Sequence, residues 1–187
     1  MITLLAYDAR LQALIQSWRV SWLNEPMWVL SAMGVAGSIW LALAAVMAAW
    51  QPRLRGAAWQ VVLAIVLSQF LVDGVIKPAI GRQRPFLAAR SATHVIGYLP
   101  ATASFPSGHA ASAFAGAFVL GCAWPRRRAW LFMLASLIAF SRMYIGVHYP
   151  LDVAAGTLLG LGIGALVTGG RACYSWDLPV APASVPR

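Results

Sequence analysis

The stretch Ser141-Arg142-Met143-Tyr144-Ile145-Gly146-Val147-His148-Tyr149-Pro150-Leu151-Asp152 closes one apolar run, 129–147, and opens another, 152–169. Ionisable residues are costly at membrane depth and are seldom kept there without a functional reason. Here an Arg, a His and an Asp fall where two hydrocarbon-rich segments meet. Two further clusters have the same placement. Lys77 is followed after six residues by Arg84-Pro85, at the end of an apolar run, and Pro106-Ser107-Gly108-His109 opens another. The pattern reads as a bundle of membrane helices whose ends carry polar chemistry.

Composition supports this. The chain has 187 residues, enough for one domain, with 60% hydrophobic and only 10% charged residues and a mean hydropathy of +0.72. Soluble domains usually carry about 25% charged residues. The formal charge of +9 does not indicate nucleic acid, because the basic residues sit in short loops between apolar runs and form no stripe. Juxtamembrane arginines and an anionic lipid account for it better. Cys122 and Cys173 fall at helix ends on the side read as cytoplasmic, so reduced thiols are expected. No cleavable signal peptide is evident, since Asp8 and Arg10 interrupt the first apolar run.

Five runs are long enough to span: 28–50, 57–76, 107–123, 129–147 and 152–169. They lack the alternation of barrel strands, so the expected fold is an all-α polytopic bundle. Residues 3–22 differ. Leu4, Leu11, Leu14, Ile15, Trp18 and Trp22 recur on one helical face, with Asp8, Gln12, Gln16 and Arg19 on another. This predicts an amphipathic helix lying in the interface, a sixth span being the alternative. A single domain over 1–170 is expected, followed by a disordered Pro/Ala-rich tail over 171–187.

The turns 51–56 and 124–128 are Arg-rich and flanked by Trp50, Trp59, Trp124 and Trp130. With alternating spans, all three polar clusters lie on the opposite face. Setting aside Lys77, Arg84 and Arg142, the remaining basic residues favour the turns as the cytoplasmic side. The polar face is then expected outside the cytoplasm, in a bacterial inner membrane. Gly156, Gly160 and Gly164 give small-xxx-small steps in the last run, suited to close packing within the subunit, with a homodimer face as the alternative.

The clusters hold a phosphate-ester toolkit. Lys77 and Arg84 supply fixed positive charge, Arg with a planar fork for two oxygens. Backbone N–H groups at the helix start after Ser107 and Gly108 point at an incoming anion, and His109 can give a proton to a departing oxygen. His148 and Asp152 are four apart, so the carboxylate can hold one imidazole nitrogen and leave the other to attack. Asp73, one turn before Lys77, is read as the partner of a nearby cation. His94, in the long connection, is a candidate headgroup contact. The clusters contain no set of carboxylates suited to Mg²⁺, so neither metal nor cofactor is expected.

Together, Lys77, Arg84 and Pro85, then Pro106, Ser107, Gly108 and His109, then Ser141, Arg142, His148 and Asp152 resemble the tripartite signature of the type 2 phosphatidic acid phosphatase (PAP2) superfamily. The resemblance covers about residues 26–170. It implies that His148 is the nucleophile and forms a phosphohistidine, that Asp152 orients it, and that His109 protonates the leaving group. It further implies that Lys77, Arg84, Ser107, Gly108 and Arg142 hold the phosphate oxygens. The family's membrane members usually have six spans, so five plus an interfacial helix is a departure. The short loops and Gly81-Arg82-Gln83-Arg84-Pro85-Phe86 look most like the small undecaprenyl-diphosphate phosphatases. Phosphatidylglycerophosphate or phosphatidic acid is the alternative substrate, and lipid A, by hydrolysis or phosphotransfer, a third. Arg82 and Arg90 lie outside the signature and are the candidates for a second phosphate. A transporter would want charge deep in several spans or broken helices.

Overall fold

A computed structural model describes residues 2–88 and 94–170. The expected tail over 171–187 and Arg90 lie outside the described residues. Among the described residues every regular element is a helix. Helices α1 (Ile2–Ser17), α2 (Ser21–Met33), α3 (Ser38–Trp50) and α4 (Arg55–Gln69) lead through a π-helical segment, Phe70–Ile76, to α5 (Lys77–Ile80) and α6 (Pro85–Ala88). Then follow α7 (Gly108–Ala123), α8 (Arg128–Tyr144) and α9 (Pro150–Val167). The chain is an all-α membrane bundle.

The spans differ from the sequence reading in detail. Among the described residues, two helical stretches are long and apolar enough to cross a membrane, Pro52–Ala88 and Pro150–Val167; the pair Ser21–Met33 and Val35–Trp50 is a third if counted as one, bent by 54°. Helices α7 and α8, with 16 and 17 residues, are apolar but shorter. The expected run 28–50 is therefore two helices meeting at Gly34-Val35-Ala36-Gly37. The cause is local: Gly37 has φ +72° and abuts Ile65, where an added Cβ would lie 2.8 Å from Ile65 Cδ1. A left-handed residue stops the helix. The run 129–147 is shortened for a similar reason. Helix α8 stops at Tyr144, and Gly146, at φ +89°, turns the chain so that Val147 and His148 N–H both reach the Arg142 carbonyl, at 3.2 and 3.3 Å.

The predicted helix over 3–22 is likewise two pieces, with Trp22 in α2. Its amphipathicity is real but faces the other way from an interfacial helix wetting its polar side. Asp8 and Gln12 are buried against the protein, while Leu4, Tyr7, Leu11, Leu14 and Trp18 are exposed. The polar face is turned inward because partners wait there: Gln12 Nε2 donates to the Met143 carbonyl at 2.8 Å, and Leu151 N–H donates to Asp8 Oδ1 at 2.9 Å. The exposed apolar face suits lipid.

Helix α7 is the centre, packed against α9, α8 and α4. The core around it joins Trp40 of α3, Val61 and Ile65 of α4, Leu120 of α7, Ile138 of α8 and Ile163 of α9. Small residues let the backbones approach. A Cβ added at Gly160 would lie 2.2 Å from the Ala111 carbonyl, and one at Gly156 would lie 2.3 Å from that of Ser107. The glycine stripe of α9 thus faces α7 within the chain. It also sets the site, because it brings the start of α7 against the start of α9, where Ser107 N–H donates to the Asp152 carbonyl at 2.9 Å. Cys122 lies at the far end of α7; Cys173 lies outside the described residues.

Candidate active site

Helix α9 begins at Pro150, and Asp152 is its third residue. That position lets a carboxylate reach back to unpaired N–H groups of the first turn. Asp152 Oδ2 accepts from Tyr149 N–H at 2.9 Å and from Ser104 Oγ at 2.5 Å. Oδ1 accepts from Arg82 Nη1 at 2.6 Å. The carboxylate is fully buried, and such a desolvated charge is tolerable only when so completely paired.

His148 lies on the turn between α8 and α9, 1% exposed. Its Nδ1 is 3.5 Å from Asp152 Oδ2, longer than a full hydrogen bond. Its Nε2 is 3.3 Å from Arg84 Nη1. Burial pushes its pKa down to about 3; the neighbouring Asp152 carboxylate acts the other way, and Arg84 and Arg142 add to the lowering. His148 is therefore neutral near pH 7, as a nucleophilic imidazole must be.

Arg84, also buried, ties the long connection to this turn. Nε donates to the Thr102 carbonyl at 2.7 Å, Nη1 to the Val147 carbonyl at 2.9 Å and Nη2 to the Ala103 carbonyl at 3.2 Å. Lys77 Nζ donates to Asp73 at 2.6 Å and to Thr102 Oγ1 at 3.2 Å; Asp73 is one turn away, so the i,i+4 pairing holds. Lys77, Asp73, Pro78, Thr102 and Ala103 line a cavity of about 240 Å³.

Ser107 caps α7, accepting from Ala110 N–H at 3.4 Å, and both Ser107 and Gly108 are buried. His109 hydrogen-bonds the backbone of Ser31, and its Nε2 has no partner among the described residues. The bend after α2 makes room for the ring: a Cβ on Gly34 would lie 3.0 Å from His109 Cδ2. Arg142 Nη1 donates to Ser31 Oγ, while its Nε is unpaired among the described residues.

The three sequence clusters are thus brought together at one end of the bundle. Two of the outlying candidates are placed differently from the sequence reading. Arg82 sits behind the His148–Asp152 pair, bridging Asp152 and Asp8 at 2.6 Å each over the Tyr149 ring, so its guanidinium is already committed to two carboxylates. His94 is exposed, and its carbonyl accepts from Arg19 Nη1 at 2.6 Å. The sequence reading missed Asp8, Ser31, Thr102 and Ser104. Ser104 alone carried a signal, two residues before Pro106; the others join the site from distant or irregular segments.

A profile of the PAP2 superfamily matches residues 57–172. The chain is 32% identical over 166 residues to an undecaprenyl-diphosphatase of Sulfolobus acidocaldarius, covering 87% of this chain and 77% of that one. It is 38% identical over 135 residues to a decaprenylphosphoryl-5-phosphoribose phosphatase of Mycobacterium tuberculosis, covering 71% and 73%. The fold matches a transmembrane PAP2-type phosphatidylglycerolphosphate phosphatase of Bacillus subtilis with a TM-score of 0.73, at 23% identity, over 95% of this chain and 90% of that one. With three-quarters of two phosphatases matched and the fold shared, the chain belongs to the PAP2 superfamily, as an integral membrane phosphatase that hydrolyses phosphate esters.

Proposed function

We propose that the protein hydrolyses undecaprenyl diphosphate to undecaprenyl phosphate through a phosphohistidine on His148. The observation that carries the mechanism is the two-sided environment of His148: Nδ1 faces Asp152 Oδ2 at 3.5 Å, and Nε2 faces Arg84 Nη1 at 3.3 Å. A phosphoryl group held by Arg84, Lys77, Arg142 and the N–H groups after Ser107 meets Nε2 in line. Nε2 forms the bond to phosphorus as the bond to the lipid-side oxygen breaks. His109 gives that oxygen its proton, and Asp152 stabilises the imidazolium character of the ring. Water then attacks the phosphohistidine, giving its proton to His109, and inorganic phosphate leaves. Catalysis rests on positioning and charge, as phosphoryl transfer requires.

The polyprenyl substrate is supported by the names of the two sequence relatives, an undecaprenyl-diphosphatase and a decaprenylphosphoryl-5-phosphoribose phosphatase, both of which name a substrate with a polyprenyl chain. Placement of the site outside the cytoplasm is supported by Arg53, Arg55 and Arg126 to Arg128 in the turns at the other end of the helices. Phosphate release from a panel of lipid phosphates in detergent tests the reading. Undecaprenyl diphosphate should be turned over faster than phosphatidic acid or phosphatidylglycerophosphate; the reverse order defeats it.

A further inference from the structure

We propose that Asp8, on the N-terminal helix, is a positioning residue for Asp152, acting through Arg82; this rests on the phosphatase reading above. Asp8 lies outside the matched family region, 57–172, and 74 residues from Arg82. Two separate bonds tie it to the first turn of α9. Its Oδ2 accepts from Arg82 Nη2 at 2.6 Å, while the other arm of the same guanidinium reaches Asp152 Oδ1, also at 2.6 Å. Its Oδ1 accepts from Leu151 N–H at 2.9 Å, capping from outside the helix an N–H that α9 cannot satisfy itself.

The geometry has a consequence for charge. Arg82 is the only described cation on Asp152 Oδ1, and the Arg fork binds two carboxylates in one plane with little freedom. Asp8 is 4% exposed and Asp152 0%, so each needs the shared cation. Held on both sides and stacked on Tyr149, 4.1 Å from the ring centroid, Arg82 cannot swing toward the phosphate. Oδ1 is thereby kept occupied, and Oδ2 is presented to Ser104, Tyr149 N–H and His148. Without Asp8, half of the guanidinium loses its partner and Arg82 is drawn wholly to Asp152, weakening that carboxylate's hold on His148. Helix α1 thus completes the catalytic carboxylate from outside the signature.

The test compares wild type, Asp8→Asn, Arg82→Gln, the double variant and Gln12→Ala in detergent. Gln12→Ala removes the other α1 anchor, the bond to the Met143 carbonyl, without touching Asp8, Arg82 or Asp152. Asp8→Asn and Arg82→Gln should each lower kcat by about ten- to a hundredfold, the scale of a small misplacement of reacting groups, with KM changed by less than about twofold. The double variant should be no worse than the weaker single one, because both act through one connection. Gln12→Ala should lower the melting temperature but leave kcat within about twofold. The ring ¹⁵N signals of His148, identified by their loss in His148→Ala, should move in Asp8→Asn and stay in Gln12→Ala. Losses of kcat that are equal in Asp8→Asn and Gln12→Ala, or His148 signals unmoved in Asp8→Asn, overturn the proposal. The NMR outcome decides it even where no lipid phosphate is hydrolysed by wild type, a result that would instead defeat the phosphatase reading.

Discussion

Arg84 Nη1 lies 3.3 Å from His148 Nε2, and the same nitrogen donates to the Val147 carbonyl at 2.9 Å. One guanidinium therefore holds the turn that carries His148 and stands beside the nitrogen proposed as the nucleophile. On the proposed mechanism, loop architecture and phosphate binding draw on the same side chain, and its three carbonyl acceptors need the guanidinium fork.

Arg84→Lys should cost activity and stability together. A single ammonium cannot serve the Thr102, Ala103 and Val147 carbonyls at once, and a buried acceptor left unpaired costs about 1–3 kcal/mol. Loss of a phosphate-oxygen donor typically lowers kcat about 10²–10³-fold. Phosphate release and thermal melting in detergent check both; a Lys variant with wild-type melting and turnover would show that the fork is dispensable.

His148→Ala should reduce turnover by several orders of magnitude, about as removal of a covalent nucleophile does elsewhere. Binding of the lipid phosphate, read as a ligand-induced rise in melting temperature, should persist, because Lys77, Arg84 and Arg142 remain. Retention of more than about a tenth of wild-type activity would contradict the nucleophile role.

His109→Ala should be selective. General acid catalysis contributes about 10²–10⁴-fold and matters most for poor leaving groups. The variant should lose far more activity on an alkyl phosphate than on an aryl phosphate. Equal losses on the two would remove the acid role from His109.

His148 also makes a pH prediction. Its pKa is about 3 in the folded protein and 6.5 as the reference value. Below pH 6.5 the unfolded chain takes up a proton that the native state refuses, so stability falls as pH falls from 6.5 toward 3. Between pH 7 and pH 5 the contribution is about 2 kcal/mol, from about 1.4 kcal/mol per pH unit. Denaturant midpoints in detergent for wild type and His148→Ala should converge as pH is lowered over this window. Parallel curves would place the proton elsewhere.

Orientation is decided by labelling in intact cells, with Cys122 and Cys173 replaced by Ser. Ala101→Cys, on the exposed connection, should react with an impermeant maleimide, and Arg127→Cys should not. Protection at 101 with reaction at 127 would invert the topology.

Much of the site was legible in sequence because its spacing is local. Ser107 to His109 and His148 to Asp152 each sit at one helix start, and Lys77 and Arg84 are joined by one short connection after α5, so residue spacing alone says much about what can converge. The small residues of α9 likewise announced close packing. What periodicity could not convey was direction. It marked an amphipathic helix near the N-terminus, but not that Asp8 and Gln12 face the protein, nor that Gly37 and Gly146 break the runs they interrupt. Arg82 looked like a spare cation for a second phosphate because its neighbours in sequence offer it no carboxylate.

By itself, then, the sequence determined a helical membrane protein and the chemical groups gathered at one end of it, since apolar run length and short-range spacing are properties of the chain alone. Only the tertiary structure decided which charges are already paired. Arg82 meets Asp8 across 74 residues and Asp152 across 70. Such long-range pairings exist only once α7 and α9 have packed through their small residues and α1 has found the polar groups left over at their ends.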